Sequence, residues 1–173
     1  MKTLLLLRHA KSSWDDPTLH DKDRPLAPRG QRAAPLMGRF LARKGWLAQR
    51  VQVSPATRTR QTWQGVVAEL PSTPPASYPE ALYETGADDM LDEIRMVPTG
   101  ITTLLVIGHN PGMEDLAVAL SGKGSNAKAL KRLQTKFPTA ALARFEFDGD
   151  WAQLKDGAAR LTDFVTPGEA VGA

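Results

Sequence analysis

Two apolar runs constrain this chain more than any other feature. Residues 2–8, KTLLLLR, and residues 102–109, TTLLVIGH, show no alternation of polar and apolar side chains. A strand with one wet face alternates, whereas a strand covered on both faces does not. Each run therefore reads as an inner strand that needs helices above and below its sheet. The sequence between them supplies those helices. Apolar side chains recur at helical spacing over about 30–44 (Ala33, Met37, Phe40, Leu41), 56–70 (Trp63, Val66, Val67, Leu70) and 86–97 (Met90, Leu91, Ile94, Val97). Pro35 should bend the first helix or mark its effective start.

The remaining segments read more simply. RVQVS at 50–54 is a second short strand, and PSTPPASYP at 71–79 is a loop. Another helix begins near Pro111, with Glu114 and Asp115 at the positive end of its dipole. Met113, Leu116, Ala117 and Leu120 line its inner face. SGKGSNAK at 121–128 reads as a flexible link. ALARFEF (141–147) and ARLTDFV (159–165) read as late strands, paired antiparallel through a turn around 148–150. The expected architecture is α/β: three layers, with a mostly parallel central sheet flanked by helices on both faces and an antiparallel C-terminal strand pair. One domain should span 1–166, leaving PGEAVGA, 167–173, as a frayed tail.

The chain has 173 residues and no cysteine, which excludes disulfides, thiol chemistry and thiolate metal sites. Three histidines leave little for a rich metal site. The net charge of +3 is modest but unevenly spread. Every charged residue from Arg24 to Arg60 is basic, while Glu80, Glu84, Asp88, Asp89, Asp92 and Glu93 form an acidic block. Such blocks are ordinarily solvated faces, and the alternative for the basic one is an anionic ligand. A nucleic-acid surface would interleave aromatic and basic residues more than this. The apolar run at 1–7 is too short for a signal sequence, and no stretch approaches the roughly 20 apolar residues of a membrane helix. A cytoplasmic protein with neither a membrane nor a nucleic-acid partner is expected.

In open α/β sheets ligands bind beyond the carboxyl ends of the strands. The first strand ends in Arg8-His9. The second ends in Ser54-Pro55, with Arg58 just inside the next helix. The central strand ends in Gly108-His109-Asn110-Pro111. Taken singly, each histidine reads as an ordinary surface or core residue and Arg58 as a solvated helix residue. Taken together, two imidazoles and two guanidinium groups on one sheet edge repel, and an anion would stabilise them. A phosphate dianion suits such a set. His20, in a polar loop, is surface or pocket rim.

The segments RHAKSS (8–13), SPATRTRQT (54–62) and GHNP (108–111) resemble the signature segments of the histidine phosphatase superfamily, the phosphoglycerate mutase-like group. The short chain and the opening RHAKSSWDDPTLHDKDRPLAPRG resemble most its SixA-like branch, the phosphohistidine phosphatases. The resemblance runs in order from residue 2 to about 120. It implies that His9 is the nucleophile that becomes phosphorylated, that Arg8 and Arg58 bind phosphate, and that His109 is the second histidine holding the phosphoryl group. It points to Glu84 as proton donor, with Glu80 as the fallback. Some members of the short branch lack that carboxylate, so a solvated Glu84 is the alternative. No cofactor or metal is implied.

Three departures stand out. The usual RHG is RHA here, and Ala10 is small enough that no loss is expected. Ala27 stands where a capping Thr, Ser or Asn is usual, at a cost of about 1 kcal/mol of helix stability. No long insertion separates residues 62 and 100, so the pocket should be open and shallow. The cations around His9 should disfavour its imidazolium form. Because imidazole is easier to expel than an alkoxide, phosphohistidine on another protein is the expected substrate, with inorganic phosphate as product. A phosphatase of small phosphomonoesters, a mutase and a non-catalytic phosphate or phosphopeptide binder are the rivals. KALKRLQTK at 128–136 is either a guide for an acidic partner or a solvated helix face.

Overall fold

The four leucines of the first run divide between two cores. Leu4 and Leu6 pack into one and Leu5 and Leu7 into the other, all of them fully buried. The structure, a computed structural model, describes residues 1–171. Its strands are β1 (Lys2–Arg8), β2 (Arg50–Val53), β3 (Ala76–Ser77), β4 (Thr103–Gly108), β5 (Leu142–Phe147) and β6 (Arg160–Val165). Its helices are α1 (Pro28–Lys44), α2 (Thr57–Val67), α3 (Ala87–Arg95), α4 (Gly112–Leu120), α5 (Ala127–Thr135) and α6 (Pro167–Val171). The strands form one sheet in the order β3-β2-β4-β1-β5-β6. Pairing is parallel from β3 to β1 and antiparallel for β1–β5 and β5–β6. This is the three-layer α/β arrangement, with β4 and β1 central.

The second apolar run divides as the first does. Leu104 and Val106 join Leu4 and Leu6 under α3, α4 and α5, and Leu105 and Ile107 join Leu5 and Leu7 under α1 and α2. Full burial of each such side chain is worth roughly 1.5–3 kcal/mol, so the central pair anchors the fold. No helix among the described residues is long and apolar enough to cross a membrane.

Four expectations need correcting. The 71–79 segment is not wholly a loop, because Ala76 and Ser77 pair with Val51 and Gln52 as a short edge strand. The 121–128 segment is not a free link. Gly122 donates its N–H to Ala159 O at 2.7 Å, and Asn126 caps α5 by accepting from Ala129 N. The tail is helical through Val171, with Ala170 buried and its carbonyl accepting from Arg43 Nη2 at 2.8 Å; residues 172–173 lie outside the described part. Finally, α1 starts at Pro28, so Pro35 stands inside it and does not mark its start.

The start of α1 is tied to the segment just beyond β1. Ala27 provides no side-chain cap, as expected, but its N–H donates to Lys11 O at 2.9 Å. A Cβ at Gly30 would stand 2.1 Å from that same carbonyl. The helix end therefore rests on the backbone just after His9, and only a glycine permits the approach.

Candidate active site

Because β1 and β2 both pair in parallel with β4, their carboxyl ends lie side by side. The next residues share one edge of the sheet. His9 donates its backbone N–H to Gly108 O, and Ser54 donates its own to Ile107 O, each at 3.0 Å. The rings of His9 and His109 are neighbours, with centroids 5.3 Å apart. His109 Nε2 lies 2.7 Å from Ser54 Oγ.

His9 Nδ1 lies 2.7 Å from Ala10 O. A carbonyl can only accept, so Nδ1 carries the proton and Nε2 keeps the lone pair. Ala10 is itself held, since its N–H donates to Thr62 Oγ1 at 3.0 Å. Its backbone is not in the left-handed region, so the position needs no glycine.

Arg58 comes from the first turn of α2. Its Nη1 donates to Asp21 O at 2.8 Å and its Nη2 to Asp21 Oδ2 at 3.0 Å. Arg8 Nη1 donates to Phe137 O at 2.9 Å. Three buried polar atoms in this group have no partner: Arg8 Nε, Arg58 Nε and His109 Nδ1. Such atoms are costly unless a ligand or water satisfies them. Beside them opens a pocket of about 440 Å³, walled in part by Arg58, His109, Tyr83, Asp21 and Glu84.

The electrostatics follow from burial first. Burial pushes His9 down to about 4, and Arg58, Arg8 and Arg24 push the same way against the Ala10 hydrogen bond. Burial is also the leading cause that takes His109 to about 3, with His9 and Arg58 adding to it. Both rings are therefore neutral at pH 7. The sequence pointed to the cations as the cause, but desolvation is the larger one. Asp21 behaves oppositely. Its partial burial would raise it, but Tyr83, Arg58 and Arg24 together hold it at about 2.

His9, His109, Arg8 and Arg58 thus stand together at one sheet edge. Glu84 reaches the pocket wall but is exposed, on a turn with φ of 54°. Glu80 is turned to Lys22, 3.1 Å away. His20 is exposed. The sequence reading missed Asp21, Tyr83 and Arg24. Tyr83 donates its hydroxyl to Asp21 Oδ2 at 2.8 Å and sets its ring edge-on to His109. Arg24 is buried under Trp14 and ties Ser12, Ser13 and Asp21 together. All three sit in segments without periodicity, and no local pattern marked them.

The chain is 40% identical to an uncharacterised protein of Mycobacterium tuberculosis (strain H37Rv) over 162 residues, 93% of this chain and 99% of that one. Among solved structures it resembles a protein assigned as phosphohistidine phosphatase SixA from Nakamurella multipartitia, at 32% identity and TM-score 0.83, covering 96% of both chains. A protein assigned likewise from Agrobacterium tumefaciens gives 28% identity and TM-score 0.81, covering 96% of this chain and 98% of that one. The family model of the histidine phosphatase superfamily, branch 1, matches residues 4–95. With that match spanning both His9 and Arg58, the chain belongs to the histidine phosphatase superfamily.

Proposed function

We propose that the protein hydrolyses phosphohistidine carried on another protein, through a covalent phospho-His9 intermediate. The observation that carries this reading is His9 itself: neutral, with Nδ1–H held by Ala10 O and a free lone pair on Nε2, beside two arginines with unpartnered Nε atoms. In the first step Nε2 attacks phosphorus, the P–N bond of the substrate breaks, and the substrate imidazole leaves with a proton from solvent. In the second, water attacks phosphorus, the P–Nε2 bond breaks, and inorganic phosphate departs. Arg8 and Arg58 neutralise the equatorial oxygens as the loose transition state forms. His109 Nδ1 is the further donor or acceptor beside the phosphoryl group.

The substrate class rests on the proton donors. Asp21 stays ionised against Arg58, and Glu84 is exposed. Asp21 holds no proton at pH 7, and among the described residues no buried carboxyl faces the leaving group, so an easily expelled imidazole suits the site better than an alkoxide. The SixA likeness at 32% identity supports the same class. One observation favours a second reading. Glu84 does line the pocket, and a phosphatase of small monoesters would use it as acid. The reading places the protein in the cytoplasm, and it requires no metal.

The test compares phosphate release from a phosphohistidine peptide and from p-nitrophenyl phosphate, with chelator present, for wild type, His9→Ala and Glu84→Gln. Loss of turnover by roughly a thousandfold or more in His9→Ala is expected. Glu84→Gln should leave the peptide rate unchanged. A Glu84-dependent monoester activity with no action on the peptide would favour the second reading. Release of phosphate that ignores His9 would overturn both.

A further inference from the structure

The surface beside Phe137 and Pro138 is built differently from the pocket. Phe137 O accepts from both Arg8 Nη1 and Asn110 Nδ2, so this segment forms a wall of the site. Ala140 N donates to His9 O at 3.0 Å, closing the other end of the segment onto the nucleophile. Pro138, between them, lines two surface grooves of about 400 and 250 Å³ that also share Thr166. The larger has Phe164 and Pro138 as apolar lining, with Lys131, Arg132 and Lys136 around them. The smaller carries Lys11 and Arg29. Neither groove is lined by a carboxylate.

Four of these five cations are not used by the fold. Lys11, Arg29, Lys131 and Lys136 are exposed, and none of their side chains makes an ion pair among the described residues. Arg132 alone is engaged, with Glu169 and Phe164 O. The pocket itself carries the exposed Glu84, while its Asp21 is already paired with Arg58 and Arg24. An unneutralised cationic strip that begins one residue from a wall of the site attracts and orients an anionic surface. Apolar lining within it gives such a surface something to bury.

We propose that this strip, from Lys11 and Arg29 across Pro138 to Lys131 and Lys136, is the docking surface for an acidic segment of the protein that carries the phosphohistidine. The proposal rests on the phosphohistidine reading and deepens it. The acidic segment lies along the strip, and the exposed Glu84 on the pocket disfavours the reverse placement. The phosphorylated ring is thereby presented to His9 in one orientation.

Three synthetic peptides of equal length test it, each with a central phosphohistidine flanked by Glu, Ser or Lys. At low salt the Glu peptide should show kcat/KM roughly tenfold above the Ser peptide, and the Lys peptide should fall below it. Lys131→Glu with Lys136→Glu should abolish the preference, and the Gln pair should halve it or more. Both should hydrolyse free phosphohistidine at the wild-type rate. Equal turnover of the three peptides, or a preference that survives charge reversal, overturns the docking surface. Fluorescence anisotropy with the unphosphorylated Glu peptide separates the two ideas. Binding that charge reversal weakens about tenfold supports the strip even if no peptide is hydrolysed, in which case the substrate reading alone falls. Equal binding by wild type and variant overturns the strip whatever the substrate.

Discussion

Asp21 is the side chain whose position the site depends on without touching phosphorus. Both terminal nitrogens of Arg58 are bound to this one residue, which fixes the plane of the guanidinium. Asp21→Ala would remove the carboxylate bond to Nη2 and keep only the backbone bond to Nη1, so the guanidinium can rotate about that one contact and kcat should fall on the order of tenfold. Asp21→Asn keeps an acceptor but removes the charge that competes with phosphate. It should retain more of kcat than Ala and bind inorganic phosphate more tightly; equal kinetics for the two variants would contradict the orienting role. The two histidines act on stability through pH. Both lie below the ordinary value of 6.5, His9 at about 4 and His109 at about 3. Above that ordinary value each ring is neutral whether folded or unfolded, and they contribute no pH dependence. Below it the unfolded chain takes up protons that the buried site refuses, so stability falls with pH. The fall begins near 6.5 and ends near 4 for His9 and near 3 for His109. Urea midpoints of His9→Gln with His109→Gln should decline less steeply over that window than those of wild type.

Individual elements were legible in proportion to how much their own sequence decides. β1 and β4 could be read from residue identity because double-faced burial leaves no polar positions. The antiparallel pair β5–β6 was legible from its alternation. β3 was not, since two residues carry no pattern and only the exposed edge of β2 makes them a strand. α6 was hidden for a similar reason: five residues with one buried side chain, Ala170, depend on α1 for their burial. The basic 128–136 segment was open between two readings. It is a helix whose Ala129 and Leu133 face the core while its lysines stay in water. α1 offers the sharpest test at this scale. Gly30→Ala would drive a methyl group into Lys11 O, a backbone atom that cannot step aside. A loss of about 1–3 kcal/mol is expected, together with lowered turnover as the backbone after His9 shifts. Stability lost with turnover intact would show that α1 does not support the site.

Across the whole molecule, parallel pairing is what converts distant sequence into one site. Residues 9, 54 and 109 meet because β1 and β2 flank β4 with their carboxyl ends aligned, and that could be argued from strand ends alone. The part that escaped was supplied by coil. Asp21, Arg24 and Tyr83 reach the site through tertiary packing of aperiodic segments, which no local pattern encodes. The expectation of an uncovered pocket is qualified accordingly, because Tyr83 and Asp21 close one side of it by bonding to each other. Central to the proposed function is a neutral His9 that takes the phosphoryl group. Rapid acid-free quenching of the protein during turnover, followed by mass spectrometry of its peptides, tests this directly. The account predicts one phosphoryl group on the peptide containing His9, stable in alkali, lost in acid, and accumulating further in His109→Ala if that ring assists hydrolysis. Steady turnover with that peptide unmodified at every quench time, or a phosphoryl group on another residue, would contradict it.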